Sequence, residues 1–233
     1  MSQAKIQRAM LEAVALALGD DLRQQVAFVG GCTTALFLTD AFSLEQVRHT
    51  EDVDLIVGVL GHGQWYGLQQ QLRNQGFTDD MSQHAPICAM RWHGLRVDFM
   101  PDDPKVLGFS NRWYPEALRT ASPFALSAAC TIRLVQPAYF MATKLEAFLG
   151  RGQHDPESSQ DIEDLLNLFD GRAAIVPEMI DASAELKTFF ADQLTQLLAQ
   201  RGFERAIEGT ARGQRSREDL IFSQIEAVIA GCV

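Results

Sequence analysis

Thr50-Glu51-Asp52-Val53-Asp54-Leu55-Ile56-Val57 is the stretch that decides how this chain is read. Two aspartates one residue apart open a run of β-branched and apolar residues, Val53, Leu55, Ile56, Val57 and Val59. A strand sends alternate side chains to opposite faces, so Asp52 and Asp54 share a face. Carboxylates held side by side repel each other, and a divalent cation between them relieves the repulsion. Their hard oxygens suit Mg²⁺ or Mn²⁺, above all where substrate phosphates complete the shell. Taken alone, the pair equally fits a solvated acidic turn ahead of a core strand.

Upstream, the apolar run Val26-Ala27-Phe28-Val29 ends at Gly30-Gly31 and is followed by Cys32-Thr33-Thr34-Ala35-Leu36-Phe37-Leu38. The pattern predicts a strand, a glycine turn and a helix start. Glycines permit the turn and let another group approach the backbone closely. A new helix offers unpaired N–H groups and a positive dipole end, and the Thr33 and Thr34 hydroxyls add donors, which together make a phosphate cradle. A simple packing turn is the alternative. The motif is neither the dinucleotide fingerprint nor a P-loop.

Downstream, residues 39–48 read as a loop and 64–74 as a helix ended by Gly76. Residues 85–90 and 95–100 read as two strands joined around His93-Gly94. The second strand carries Asp98 in Arg96-Val97-Asp98-Phe99-Met100. An aspartate inside an apolar strand is costly to bury unless it binds something, whereas on an edge strand it would face water.

This order of strand, Gly-Gly turn and helix, then Asp-x-Asp, then a later single Asp, resembles the nucleotidyltransferase superfamily that shares its fold with DNA polymerase β. The long gap from Gly31 to Asp52, with Arg48 and Thr50 just ahead of the acids, is similar to the abortive-infection (AbiEii-type) branch. That resemblance implies that Gly30 and Gly31 bind triphosphate with Thr33 or Thr34. Asp52, Asp54 and Asp98 would hold two Mg²⁺ or Mn²⁺ ions, and Asp98 would help deprotonate the attacking hydroxyl. Gly-Gly-Cys-Thr-Thr-Ala-Leu stands where the branch usually has Gly-Gly-Thr-Ala-Leu, which leaves open which threonine touches phosphate.

The second half carries a matching block. Residues 101–122 read as a surface loop in which Trp113 and Tyr114 either stack on a base or pin the loop to the core. A strand over 124–135 precedes Pro137, suited to a first helical position. The helix over 138–149 carries Lys144; Gly150-Arg151-Gly152 opens a polar loop; and a second helix over 159–169 carries Asp161 and Asp164 on one face. In a first turn such acids are ordinarily dipole partners. By the resemblance, Lys144 neutralises triphosphate, while Asp161 and Asp164 orient Lys144 or Arg151 or contact the nucleotide. Beyond Arg172 three helices are expected near 177–182, 183–200 and 217–230. Between the last two, Arg201, Arg205, Arg212, Arg215 and Arg217 form a charged loop that is either solvated or touches phosphate.

The 233 residues carry a formal charge of -10, which argues against a protein that coats nucleic acid with a basic field. Four cysteines without a Cys-x-x-Cys pair suggest neither a zinc site nor a disulfide framework, and fit reduced thiols in a cytoplasm. No apolar run approaches a membrane span.

The expected fold is α/β (α+β): a nucleotidyltransferase core over residues 1–136, with a small mixed sheet of five strands, then a helical subdomain over 137–233 closing the nucleotide cleft. The expected activity is metal-dependent transfer of NMP from an NTP to a hydroxyl on RNA, such as tRNA, or on protein, as the toxin of a toxin–antitoxin or phage-defence system. Transfer to a small-molecule antibiotic and a catalytically silent nucleotide-binding module are the alternatives.

Overall fold

The structure is a computed structural model that describes residues 2–83, 85–151 and 155–233; Gly152, read above as loop, lies outside them. It is a mixed α/β fold that divides into two compact units, residues 1–33 with 48–136, and residues 34–47 with 137–233. Residues 34–47, expected with the first segment, thus cluster with the second.

The first unit is built on a mixed sheet of seven strands among the described residues: β1 (Val26–Val29), β2 (Asp52–Val57), β3 (Thr78–Asp79), β4 (Ala89–Trp92), β5 (Leu95–Pro101), β6 (Ser122–Ala125) and β7 (Thr131–Leu134). Their order is β3-β4-β5-β2-β1-β7-β6. Of the two edge strands, β3 is an addition to the five expected, and β6 arises because the single strand expected over 124–135 is two antiparallel strands, β6 and β7. Asp79 on β3 and Pro123 on β6 break the apolar alternation by which a strand is recognised.

β2 lies at the centre, parallel to β5 and antiparallel to β1. Its Val53, Leu55, Ile56 and Val57 are buried, as are Phe28 on β1 and Val97 and Phe99 on β5. β4 and β5 form a hairpin whose two-residue turn, His93-Gly94, has positive φ at both positions, the twist-matched geometry for such a loop. The stretch expected as a surface loop contains two short helices, Pro104–Leu107 and Tyr114–Thr120.

The second unit is helical. Helices Pro137–Gly150 and Gln160–Gly171 pack together, as do Ala184–Leu198 and Arg215–Cys232, around a core that includes Phe140, Phe169, Phe190 and Phe203. Ser159 and Ser183 cap their helices by accepting from Ile162 N–H and Leu186 N–H. Residues 39–48, expected as loop, contain the helix Ala41–Gln46, capped by Asp40. The Thr39 and Asp40 N–H groups donate to the Gly171 carbonyl, and a Cβ on Gly171 would stand 2.5 Å from Ser43 Cβ. A non-local anchor therefore recruits this segment. The arginine-rich stretch is also helical: Arg201–Ala211 is a helix, ended by Arg212 in the left-handed conformation. No described helix is long and apolar enough to cross a membrane.

Candidate active site

The register of the central strands assembles the acids. Asp52 lies opposite Arg96 and Asp54 opposite Asp98 on parallel neighbours. Parallel strands lie about 4.8 Å apart and residues two apart share a face, so all four side chains emerge side by side. One oxygen from each of Asp52, Asp54 and Asp98 falls within 4.8 Å of the other two. Asp98 is not an edge acid but is 5% exposed on an interior strand.

β1 brings the glycine turn to the same place, because its antiparallel register pairs Val29 with Asp54. Gly30 follows with φ +80°, and a Cβ there would lie 1.8 Å from Asp54 Oδ2. Only glycine admits that carboxylate.

The threonine hydroxyls, expected to add donors to a phosphate cradle, are engaged within the protein. Thr33 Oγ1 donates to the Gly30 carbonyl at 2.8 Å, and Thr34 Oγ1 donates to Asp164 Oδ1 at 3.0 Å in the helical unit. Both threonines are fully buried. Gly31 opens a 3₁₀ turn, Gly31–Thr33, and Thr33 N–H is bonded back to the Gly30 carbonyl. Thr50, 5% exposed, donates its hydroxyl to Asp52 Oδ1 at 2.9 Å and so orients the first acid. Arg48 Nη1 donates to the His49 carbonyl, and the Arg48 carbonyl accepts from Gln7 Nε2.

Arg96 is a partner that reading the sequence for acids alone passes over. Its Nε donates to Asp98 Oδ1 at 2.8 Å and its Nη2 to Oδ2 at 2.5 Å, a two-pronged pair. Burial raises the Asp98 pKa, the Arg96 contacts lower it, and the balance stays upward. Burial also pushes the neighbouring Cys32 and Cys88 thiols up, with the Asp54 and Asp98 charges adding to it, so both cysteines stay protonated.

Three convergent carboxylates fit a small divalent cation: the donors are hard, and each Asp98 oxygen keeps a second acceptor position after receiving its Arg96 proton. Arg96 balances one of the three negative charges.

In the helical unit, Lys144, Arg151, Asp161 and Asp164 do come together. Lys144 Nζ lies 3.2 Å from Asp161 Oδ1 and 2.6 Å from Asp164 Oδ2, and Arg151 Nη1 lies 3.0 Å from Asp161 Oδ2. Lys144 is 7% exposed and both aspartates are more deeply buried. The two carboxylates thus face two cations within the protein itself.

Trp113 is buried, which removes it as a stacking surface for a base. Three of the five arginines of the expected loop have acidic partners within the protein: Arg205 pairs with Glu157, Arg215 with Glu218 and Asp219, and Arg217 with Asp40 and Asp170. No protein-family model and no curated protein matches this chain.

Proposed function

We propose that the chain is a metal-dependent nucleotidyltransferase with a DNA polymerase β-like catalytic unit, similar to the abortive-infection branch of that superfamily. The observation that carries the proposal is the convergence of Asp52, Asp54 and Asp98 within 4.8 Å beside a glycine turn pressed against Asp54. A mixed sheet with the acids on two adjacent interior strands is compatible with that fold.

Asp52, Asp54 and Asp98 would hold Mg²⁺ or Mn²⁺, which when bound neutralises the triphosphate and lowers the pKa of the acceptor hydroxyl. The chain's own residues supply position. Thr50 fixes the Asp52 carboxylate, Arg96 fixes Asp98, and the bare Gly30 leaves room for the Asp54 carboxylate, beside a Gly30-Gly31 turn that would take the phosphate. Asp98, whose pKa is raised, is the group suited to take the proton of the attacking hydroxyl. The acceptor oxygen then bonds to the α-phosphorus as the bond to the bridging oxygen breaks, and pyrophosphate leaves. No covalent enzyme intermediate is required. The proposed acceptor is RNA, such as tRNA, or a protein, in a toxin restrained by a cognate antitoxin.

Incubation with labelled NTPs, Mg²⁺ and total RNA tests this. Label should appear in RNA with release of pyrophosphate, and Asp54→Ala should abolish transfer while leaving the fold intact. Label in an aminoglycoside instead would point to a small-molecule acceptor, and binding without pyrophosphate to a silent module. Undiminished transfer by Asp54→Ala would refute the assignment.

A further inference from the structure

The first helix, Gln3–Ala17, places a glutamine at the head of its buried stripe. Gln7 stands one turn before Leu11, with Val14 and Ala15 next on the same face. It is 1% exposed, and the three apolar residues are fully buried. Its Nε2 donates to the Arg48 carbonyl at 2.9 Å, while its Oε1 has no donor. A buried amide costs stability unless both ends are bonded, so an apolar side chain of similar length would serve the core about as well. The use of the amide therefore lies in the residue it holds.

Arg48 belongs to the irregular stretch that leads into β2, ahead of the ladder that begins at Asp52. Two residues on, the Thr50 hydroxyl donates to Asp52 Oδ1 at 2.9 Å, and the Asp52 N–H donates to Thr50 Oγ1 at 3.4 Å. Holding the Arg48 carbonyl thus places Thr50, and Thr50 places the Asp52 carboxylate. The same helix grips the stretch a second time, since Gln3, one turn earlier, brings its Oε1 within 3.4 Å of His49 Nδ1. It also meets the glycine turn, where Cys32 Sγ donates to the Gln7 carbonyl at 3.7 Å. Gln7 touches the lead-in to the paired acids with its side chain and the residue after Gly30-Gly31 with its backbone.

We propose that Gln7, supported by Gln3, is a positioning residue for the cation site, acting through Arg48 and Thr50 on Asp52; this rests on the reading of Asp52, Asp54 and Asp98 as cation ligands. Neither glutamine touches the ion. Without the Gln7 bond, the lead-in has to be ordered when the cation arrives, and affinity falls by the cost of that ordering.

The test is Mn²⁺ titration of the full chain followed by EPR, with Asp54→Ala protein identifying the ions held by the acids. Gln7→Met is nearly isosteric and removes the donor. It should melt close to wild type, because the orphan acceptor goes with the bond. It should bind Mn²⁺ about fivefold more weakly, the equilibrium effect of one neutral hydrogen bond. Val14→Ala, which opens a cavity on the same stripe, should melt lower and bind Mn²⁺ as wild type does. In Thr50→Val protein, adding Gln7→Met should weaken binding no further, since the route to Asp52 is already cut. Wild-type affinity in Gln7→Met, an equal loss in Val14→Ala, or the same loss again in Thr50→Val protein overturns the proposal and leaves the cation site standing. Should Gln7→Met fail to fold, Gln3→Ala decides: binding about twofold weaker upholds the proposal, and unchanged binding overturns it. Wild-type protein that holds no Mn²⁺ removable by Asp54→Ala overturns both the proposal and the metal-dependent reading.

Discussion

The Asp54 carboxylate occupies the space in which any side chain at position 30 would have to stand: a Cβ on Gly30 would lie 1.8 Å from Oδ2 and 2.6 Å from Cγ. The glycine is therefore needed twice, for its φ of +80° and for the acid it admits. Gly108 has the same φ with open space around it, which separates the two requirements. Gly108→Ala should cost about 1–2 kcal/mol, the strain of a left-handed non-glycine residue, and leave cation binding intact. Gly30→Ala should cost more and displace Asp54. Urea denaturation together with Mn²⁺ binding followed by EPR checks both, and Gly30→Ala protein that binds Mn²⁺ as wild type would contradict the geometry.

Arg96 and Asp98 give a pH-dependent prediction. Arg96→Gln leaves a buried carboxylate with at most one of its two donors. Since the Arg96 side chain is a third exposed, solvent screening reduces the cost to roughly 1–3 kcal/mol. Burial raises the Asp98 pKa in the folded protein, so ionised Asp98 is less welcome there than in the unfolded chain. That contribution to stability is fully present below the unfolded value, near 4, and is lost as pH rises through the folded one. The variant should therefore nearly match wild type below about pH 4 and fall behind as pH increases. Added Mg²⁺ should recover more stability for the variant than for wild type. Denaturation curves across pH 3–8 with and without Mg²⁺ check this (a range set around ordinary carboxylate values, roughly pH 4).

The parts of the site visible in the sequence were those fixed by local pattern. Strand alternation placed Asp52 and Asp54 on one face, and the His93-Gly94 turn set the hairpin that carries Asp98. Arg96 could have been found by the same rule, since it stands two residues from Asp98 and shares its face. What escaped depends on distant partners. Nothing local to Thr34 announces a bond to Asp164, 130 residues away, and nothing local to residues 34–47 announces the anchor at Gly171. The arginines of 201–217 looked like a charged loop because their acidic partners, Asp40, Glu157 and Asp170, lie outside the stretch.

Lys144 sits between Asp161 and Asp164, and a phosphate role would require it to loosen one of them. Removing the lysine leaves two buried carboxylates, one with only Arg151 beside it. Breaking a buried pair in this way typically costs 3–5 kcal/mol, so Lys144→Met should lower stability by about that amount. Equilibrium urea unfolding of the variant beside wild type at neutral pH measures this. A deficit below about 1 kcal/mol would mean that the carboxylates find other cations.

Arg217 and Arg215 stand two residues apart on one helix and should behave in opposite ways. Arg217 donates from Nη1 to both oxygens of the buried Asp170 at 2.7 and 2.6 Å, and from Nη2 to Asp40 at 2.8 Å. Its guanidinium carbon also lies 4.0 Å from the centre of the Phe42 ring. One side chain thus ties the Ala41–Gln46 segment and Asp170 to the last helix. Arg215 is 83% exposed and meets the exposed Asp219 and the half-buried Glu218 within its own helix. Arg217→Met should cost about 3–5 kcal/mol, chiefly through the unpaired Asp170, whereas Arg215→Met should stay within about 0.5 kcal/mol. If the stretch served instead as a phosphate-binding surface, Arg215 would be the more damaging loss for RNA affinity and neither change would touch stability. Thermal unfolding of the two variants, beside a filter-binding assay with single-stranded RNA, decides between a clasp and a contact surface.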